Sequence, residues 1–307
     1  MRRLIINADD FGLTPGVNRA ILEAHGSGVV SSATMMANGP AVEDAIRLAR
    51  RAEGLSLGCH VVLIDGRPVL PPNQIQTLTV RNGAPRFRER WLDFFAAVIR
   101  GQISSDEILA EASAQITKLQ GAGLRLSHFD THKHTHILPV IARPLLRAAK
   151  ACGIHAVRNP FAPLKPLAFS HLVRRPRLWS RYTEVRVLRR FSERFCEMVE
   201  TESMVTTDGT FGIVITGSLD ERLFAAIAGC IPEGTWELVC HPGYCDDDLR
   251  RAGTRLRESR PAELRVLTSP AARQALEHCG IEVISYWDLP AATVSVTTSS
   301  VSSGLPG

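Results

Sequence analysis

The sequence predicts a single-domain α/β protein, folded as a distorted (β/α) TIM-like barrel. Short runs rich in β-branched and apolar residues alternate with longer segments of helical pattern, which is typical of parallel strands joined by helices. The chain has 307 residues, of which 45% are hydrophobic and 22% charged, enough for the core of one large α/β unit. We expect one domain over residues 1–290 and a disordered tail over 291–307, where Ser, Thr, Val and Gly follow no period.

Eight segments are predicted as strands, because each is a short apolar run bounded by turn or helix signals. They cover residues 3–9, 30–37, 55–63, 124–130, 154–160, 211–217, 236–241 and 282–286. Eight strands separated by helices are the number that a closed barrel of this class uses.

Three helix starts are marked by residues that cap helices. Thr14-Pro15 and Ser269-Pro270 each place a capping hydroxyl before a proline at the first helical position. Residues 218–221 form a capping box, starting at Ser218, ahead of an apolar run, so a helix should begin there.

Two segments interrupt the alternation of strands and helices. Residues 68–88 are rich in Pro, Gly and Asn and predict either a long loop over one end of the barrel or a solvated insertion without a role. Residues 165–194, within an insertion at about 165–200, carry nine basic residues interleaved with apolar and aromatic ones. Such a stretch fits an anionic membrane surface, an ordinary solvated helix face or a lid over the site.

Charge and cysteine content exclude several classes of protein. Lys and Arg number 36 against 31 Asp and Glu, and this mild excess argues against a nucleic-acid partner. The seven cysteines form no CxxC pair and are expected to be reduced. No signal peptide or membrane-spanning run is visible, so we expect a cytoplasmic protein, with attachment to a membrane surface and homo-oligomer formation left open.

Two adjacent carboxylates, Asp9 and Asp10, end the first predicted strand. Active sites of β/α folds form at the carboxyl ends of the strands. Neighbouring carboxylates repel each other unless a positive group holds one of them, so a metal ion or an arginine is expected nearby. One carboxylate can then bind a metal while the other accepts a proton. The competing interpretation is a solvated turn or a helix cap.

Histidines are concentrated in residues 128–136, where four of nine residues are histidine and one is Asp130. This density is typical of metal binding. The strand should end near Asp130 and a helix should start at Pro139, so we expect one or two of these histidines to be ligands. The others would orient substrate, support the ligands or be solvated. His60, inside an apolar predicted strand, is a further candidate, although a lone strand histidine is usually a hydrogen-bonded core residue.

Two more ionisable residues end predicted strands. His241 closes the seventh strand and Arg158 ends the fifth. Five strands that are far apart in sequence therefore each deliver an ionisable side chain to one rim of the barrel. A metal-assisted hydrolase needs such a constellation, whereas packing alone would not require it.

Four motifs resemble those of the YdjC-like carbohydrate deacetylases, a group that includes chitooligosaccharide deacetylases and hopanoid-associated deacetylases. The resemblance runs from Met1 to about Ser269, in the family's order and at suitable spacings. The motifs are Asn7-Ala8-Asp9-Asp10-Phe11-Gly12, Gly58-Cys59-His60, His128-Phe129-Asp130-Thr131-His132-Lys133-His134-Thr135-His136 and Glu237-Leu238-Val239-Cys240-His241-Pro242-Gly243.

The resemblance implies a barrel enzyme that removes acetyl groups from N-acetylated sugars with a divalent metal ion. By motif position the metal ligands would be Asp10, His60 and His132. Three further residues of the histidine-rich motif would contact the substrate or support the ligands: Asp130, His134 and His136. Histidine and aspartate suit Zn, Co, Mn or Ni, and the resemblance adds Mg; we expect Mg or Zn.

The remaining roles follow as a hypothesis. Asp9 would act as general base, Arg158 would hold Asp9 ionised and in place, and His241 would protonate the departing amine. Two alternatives stay open: a metal-dependent hydrolase of another ester, amide or phosphoester, and a metal-dependent sugar-binding protein without turnover. A soluble chitooligosaccharide and the glycosylated head group of a hopanoid lipid are both compatible with the resemblance.

Overall fold

Parallel strands form the centre of the protein in the computed structural model, which describes residues 1–80, 85–163, 183 and 186–290. The strands are β1 (Arg2–Phe11), β2 (Ser32–Met35), β3 (Ser56–Val61), β4 (Thr79–Val80), β5 (Arg86–Phe87), β6 (His128–Thr131), β7 (Ala156–Val157), β8 (Val205–Thr206), β9 (Gly209–Phe211), β10 (Gly234–Cys240) and β11 (Ile281–Ile284). The described helices are α1 (Pro15–Gly26), α2 (Val42–Ala49), α3 (Trp91–Ile99), α4 (Ser105–Gly121), α5 (Pro139–Ala151), α6 (Ser192–Thr201), α7 (Glu221–Cys230), α8 (Asp247–Arg251), α9 (Ser259–Thr268) and α10 (Pro270–His278).

The main sheet is parallel and nearly closed. Its order is β8-β7-β6-β3-β2-β1-β10-β9, and helices surround it, so the predicted distorted TIM-like barrel is confirmed. The residues that follow β7 hydrogen-bond to β9, the strand at the other end of this order. The backbone amide of Thr210 in β9 donates to the carbonyl of Phe161 at 3.0 Å, and the hydroxyl of Thr210 donates to the carbonyl of Asn159 at 2.6 Å. The carboxyl ends of these eight parallel strands therefore lie at one rim of the barrel.

Several predicted strands are shorter in the structure: β6 covers only 128–131 where 124–130 was predicted, and β7 only 156–157 where 154–160 was predicted. Two other predicted strands differ more. The segment 211–217 is a strand only to Phe211, because Gly212 has φ 102, in the left-handed region, and turns the chain into a loop. A Cβ at Gly212 would lie 2.4 Å from the carbonyl oxygen of Val239, so the turn also requires glycine there. The last predicted strand corresponds to β11, which pairs with the first half of β1 and lies outside the ring of eight strands. The eighth strand of the ring is instead β8, a two-residue strand that the sequence did not predict.

The predicted helix starts are confirmed, with one change of capping residue. Thr14 caps α1 and Ser269 caps α10, each accepting a hydrogen bond from a backbone amide of the first turn. Helix α7 begins where expected, but its cap is the Asp220 side chain, which accepts from the amide of Leu223, and not Ser218. Pro139 starts α5 as predicted.

Residues 68–88, described except for 81–84, pack against the barrel and are not a bare solvated insertion. Ile75, Leu78 and Phe87 are fully buried, and β4 and β5 form a short antiparallel hairpin. The carboxylate of Glu111 in α4 accepts hydrogen bonds from two backbone amides of this segment. The segment therefore has a fixed place beside α4.

Most of the basic segment 165–194 and the whole of the tail 291–307 lie outside the described residues, so the membrane, lid and disorder predictions remain predictions. Among the residues that the structure describes, none of the helices has the length and apolar character needed to cross a membrane.

Candidate active site

The carboxyl end of β1 carries Asp9 and Asp10, and a local irregularity turns both toward the rim. In a regular strand, consecutive side chains point to opposite faces. Asp10 has φ 68, in the left-handed region, and the pairing of β1 with β2 shifts register between Ala8 and Phe11. Such a bulge re-aims a side chain, and both carboxylates are consequently buried at the barrel mouth.

His60, near the end of β3, is fixed by the neighbouring strands. Its Nδ1 lies 2.7 Å from Oδ1 of Asp130 in β6, and the hydroxyl of Thr34 in β2 donates to Oδ2 of the same carboxylate at 3.0 Å. Burial opposes protonation of His60, but Asp130, followed by Asp9 and Asp10, outweighs it and raises the pKa of His60 to about 9. The surroundings of this imidazole thus favour positive charge.

His132 reaches the site from the turn that follows β6. This turn, His132–Ile137, contains two residues in the left-handed region, Lys133 and His134. Nδ1 of His132 lies 3.3 Å from Nε2 of His60, and each of these nitrogens lies 3.5 Å from Oδ1 of Asp10. Asp10, His60 and His132 therefore offer one oxygen and two nitrogens at the corners of a small triangle.

This donor set fits a divalent metal ion. An ion bonded to nitrogen and oxygen at about 2.0–2.2 Å keeps neighbouring ligand atoms roughly 3.0–3.5 Å apart. The far nitrogen of His60, Nδ1, donates a hydrogen bond to Asp130, and this arrangement orients histidine ligands in metal sites. Asp9, His60 and Asp130 form a second candidate group, but Asp130 and Asp9 are both engaged by Arg158. The triangle is therefore the better metal site.

Arg158, which follows β7, is completely buried among three carboxylates. Its Nη1 and Nη2 donate to the two oxygens of Asp9 at 2.8 and 2.6 Å, and its Nε donates to Glu237 at 2.8 Å. It also pairs with Asp130. Burial opposes ionisation of Asp9, but Arg158 outweighs it and holds the pKa of Asp9 well below its usual range. Asp9 is therefore an ionised carboxylate with a fixed orientation.

His241, after β10, lies on the other side of Asp9. Its Nε2 is 3.9 Å from Oδ2 of Asp9, and its Nδ1 is buried without a hydrogen-bond partner in the described structure. Burial lowers the pKa of His241 to about 4, against the opposing effect of Asp9 and Asp10. The resting imidazole is therefore neutral at neutral pH.

Helix α9 supplies two buried side chains that sequence reasoning missed. Arg260 donates from Nη2 to Oδ2 of Asp10 at 2.5 Å, and Glu263 accepts a 2.6 Å hydrogen bond from the backbone amide of His241. Burial raises the pKa of Glu263 to about 7. Residues three positions apart lie on the same face of a helix. Helix α9 therefore contacts the carboxyl end of β1 through Arg260 and the residue after β10 through Glu263.

The other histidines of the cluster have different surroundings. His134 lines the cavity with its Nδ1 unpartnered in the described structure, and burial lowers its pKa to about 3. His136 is buried behind the cavity wall, where Nδ1 contacts the hydroxyl of Thr131 at 2.6 Å and Nε2 contacts the carbonyl of Arg158 at 3.2 Å. His128 lies inside the barrel, stacked on Tyr286 with ring centroids 3.6 Å apart.

A cavity of about 530 Å³ opens above these residues. Its floor is formed by Asp9, Asp10, His60, His132 and His241. The walls add apolar side chains and a few polar ones; they include Leu13, Met36, Asp65, Trp91, Lys133, His134, Ile213 and Thr216. A cleft with convergent ionisable groups is the form that substrate sites take.

The structure thus brings the predicted residues together at one place, except that Asp130, His136 and Arg158 lie below or behind the cavity. The residues that were missed are Thr34, Glu237, Arg260 and Glu263. Glu237 lies in the last of the four motifs, but nothing in the sequence indicates that it accepts a hydrogen bond from the hydroxyl of Tyr286 at 2.6 Å. Arg260 and Glu263 sit in a helix whose pattern of polar residues is that of an ordinary surface helix.

Comparisons with known proteins point to one group. The model of the YdjC-like protein family matches residues 3–278. The carbohydrate deacetylase of Brevibacillus brevis is 31% identical over 288 residues, which cover 94% of this chain and 99% of that protein. Carbohydrate deacetylase 1 of Listeria innocua is 31% identical over 287 residues, covering 94% of this chain and 100% of that protein.

A solved structure shares the fold. It is described as a candidate cellobiose-phosphate cleavage protein from Enterococcus faecalis, and it superposes with a TM-score of 0.75 at 24% identity. The superposition covers 93% of this chain and 98% of that one. The fold is therefore shared over nearly the whole of both chains.

Proposed function

Because the chain belongs to the YdjC-like protein family, we propose that it hydrolyses the acetamide of an N-acetylated sugar with the help of a divalent metal ion and releases acetate. The names of the relatives, carbohydrate deacetylases, support the sugar and the reaction. The observation that carries the proposal is the position of Asp9 and His241 beside the triangle of Asp10, His60 and His132 in one cavity.

In this proposal the metal is held by Asp10, His60 and His132. When bound there, a divalent ion supplies Lewis-acid chemistry, which polarises a carbonyl group and lowers the pKa of water. Arg260 holds the second oxygen of Asp10, so that Oδ1 stays turned toward the two histidines. Asp130 keeps Nε2 of His60 directed at the same point.

Asp9 accepts the proton of the attacking water. Arg158 donates a hydrogen bond to each oxygen of Asp9, which fixes the orientation of this carboxylate and keeps it ionised at neutral pH. The same arginine makes Asp9 a weak base, so the proton stays there only briefly. Asp9 needs a second group to which it can pass the proton.

His241 is that second group. Its pKa, about 4, is higher than that of Asp9, and it is neutral and ready to accept a proton in the resting enzyme. The 3.9 Å between Nε2 and Oδ2 is longer than a hydrogen bond, as catalytic contacts often are before substrate binds. The water proton therefore moves from Asp9 to His241 and then to the nitrogen of the departing amine.

The water oxygen forms a bond to the carbonyl carbon, and the carbon–nitrogen bond breaks. The amine leaves with the proton from His241, and the products are acetate and a free amino sugar. A general acid is needed because an amine that departs without a proton is a poor leaving group.

The test is acetate release by the metal-stripped protein with each divalent ion added back. Mg, Zn, Co, Mn and Ni are added separately, and the substrates are N-acetylglucosamine, its oligosaccharides and N-acetylated glycolipids. We expect acetate from at least one of these sugars only when an ion is present. A generic phosphoester serves as the comparison substrate.

The two alternatives predict other results. Phosphate release without acetate release would identify a phosphoester hydrolase. Tight, metal-dependent binding of N-acetylated sugars without acetate would identify a binding protein. Either result would reject the proposed function.

A further inference from the structure

One wall of the cavity is built by three residues from different parts of the chain, and Lys133 contacts the other two. Asp65 follows β3, Lys133 lies in the turn after β6, and Trp91 begins α3. Nζ of Lys133 pairs with Oδ2 of Asp65 at 2.6 Å and donates to the carbonyl of Glu89 at 3.3 Å. Nε1 of Trp91 donates to the carbonyl of Lys133 at 3.3 Å. This wall is a connected unit, which we call the Trp91 wall.

The backbone of the Trp91 wall is held in an uncommon conformation. Asp65 has φ 56 and Lys133 has φ 55, and neither is glycine. Residues in this region cost about 1 kcal/mol or more and persist where surrounding contacts enforce them, often at binding sites. Here the enforcing contacts are the ion pair between the two strained residues and the indole hydrogen bond.

The chemistry of the wall suits a neutral polyhydroxyl ring. The indole N–H of Trp91 is already used by Lys133, and the ring packs on Phe95 with centroids 5.1 Å apart, so its orientation is fixed. A fixed aromatic ring offers an apolar surface to the C–H face of a pyranose. Beside the indole, Asp65 supplies a hydrogen-bond acceptor and Lys133 a donor, and the pair carries no net charge. Both side chains are about one third exposed. Sugar hydroxyls donate and accept at once, so they can pair with both.

We propose that Trp91, Asp65 and Lys133 form a binding subsite for a second sugar ring, next to the ring that is deacetylated. The proposal rests on the proposed function and adds to it the residues that would hold the ring attached to the reacting sugar. Lys133 directly follows His132, so the subsite is one residue away from the candidate metal site in sequence and shares its cavity.

The test compares substrates of one and two rings in matched variants. Trp91→Ala removes the ring, Trp91→Phe keeps an aromatic face, and Asp65→Asn removes the ion pair at constant size. Trp287→Ala is the control, since that indole is half exposed beside Arg125 at the amino ends of the strands, away from the cavity. The measured quantity is kcat/KM for N-acetylglucosamine and for its disaccharide.

For Trp91→Ala we expect a loss of about tenfold or more on the disaccharide, through KM, and less than about twofold on the monosaccharide. Trp91→Phe should restore most of the loss, Asp65→Asn should lose several-fold on the disaccharide alone, and Trp287→Ala should equal wild type. Equal losses on both substrates, or no loss on either, would overturn the subsite.

A binding measurement separates this proposal from the proposed function. Calorimetric titration with the disaccharide of glucosamine, which carries no acetyl group, requires no turnover. Weaker binding by Trp91→Ala than by wild type supports the subsite even if no sugar yields acetate. Unchanged binding, with normal deacetylation, rejects the subsite and leaves the proposed function intact.

Discussion

Arg260 and Asp10 form a buried ion pair at 2.5 Å, although they are 250 positions apart in the chain. The arginine is fully buried, and its Nε donates to the carbonyl of Leu256. Because Arg260 occupies Oδ2 of Asp10, only Oδ1 is left to face His60 and His132. The helix that carries Arg260 therefore determines how a candidate metal ligand on β1 is oriented.

Replacing Arg260 should weaken metal binding. Arg260→Lys keeps the charge but cannot reproduce the reach and fixed geometry of the guanidinium. We expect the affinity for the divalent ion to fall by about 10- to 100-fold, while kcat at saturating metal falls much less. Metal titration followed by activity measures both quantities. Arg257→Lys is the control, because Arg257 is exposed and its side chain bonds the backbone carbonyls of Thr254 and Ala252. Equal effects of the two substitutions would contradict the role of Arg260.

Asp9 should be needed for turnover and not for metal binding. Asp9→Asn removes the proton acceptor but leaves the triangle of Asp10, His60 and His132 unchanged. We expect kcat to drop by about 10²- to 10⁴-fold with the metal content of wild type. Metal analysis and acetate release on the same preparation test this. A variant that loses its metal together with its activity would show that Asp9 belongs to the ligand set.

Passage of the proton from Asp9 to His241 predicts that the two residues act as one unit. His241→Ala should be folded and metal-loaded but slow. In the double variant Asp9→Asn/His241→Ala the loss in kcat should be about that of the more severe single variant, because steps in one proton path are not additive. Losses that multiply in the double variant would mean that the two groups act independently.

Glu263 should make stability depend on pH. Its pKa in the folded protein is about 7, against an ordinary value of 4.5. Between these values the folded state keeps a proton that the unfolded state has lost, so the contribution of this group to stability falls as pH rises from about 4.5 to 7. The effect is at most about 3 kcal/mol.

Glu263→Gln isolates this effect. The neutral amide can still accept the hydrogen bond from the backbone of His241, but it does not titrate. We expect the stability of wild type relative to the variant to decline from pH 4.5 to 8, as measured by urea unfolding at a series of pH values. A constant difference between the two proteins over that range would show that Glu263 keeps an ordinary pKa.

The barrel could be predicted because it follows from local pattern. Alternation of apolar runs with capped helices identifies each βα unit, and the motif residues stand at strand ends, where a parallel fold gathers them. The short β8 carries too little pattern to be seen in two residues. The segment after Phe211 has the apolar run of a strand, and only the left-handed turn at Gly212, under the carbonyl of Val239, ends it.

The site was predictable only as a set of residues and not as an arrangement. The histidines of 128–136 look alike in sequence, but the left-handed turn at Lys133 and His134 sends His132 and His134 to the cavity and leaves His136 behind its wall. Arg260 contacts Asp10 through packing of a helix near the other end of the chain. No local pattern encodes such a contact, so it had to come from the structure.

The proposed metal site is tested most directly by the metal content of His132→Ala, compared with wild type, after dialysis against a divalent ion. His278→Ala, an exposed histidine in α10, is the control. We expect about one ion per chain and acetate release for wild type and His278→Ala, and neither for His132→Ala. Full metal content and full activity in His132→Ala would contradict it.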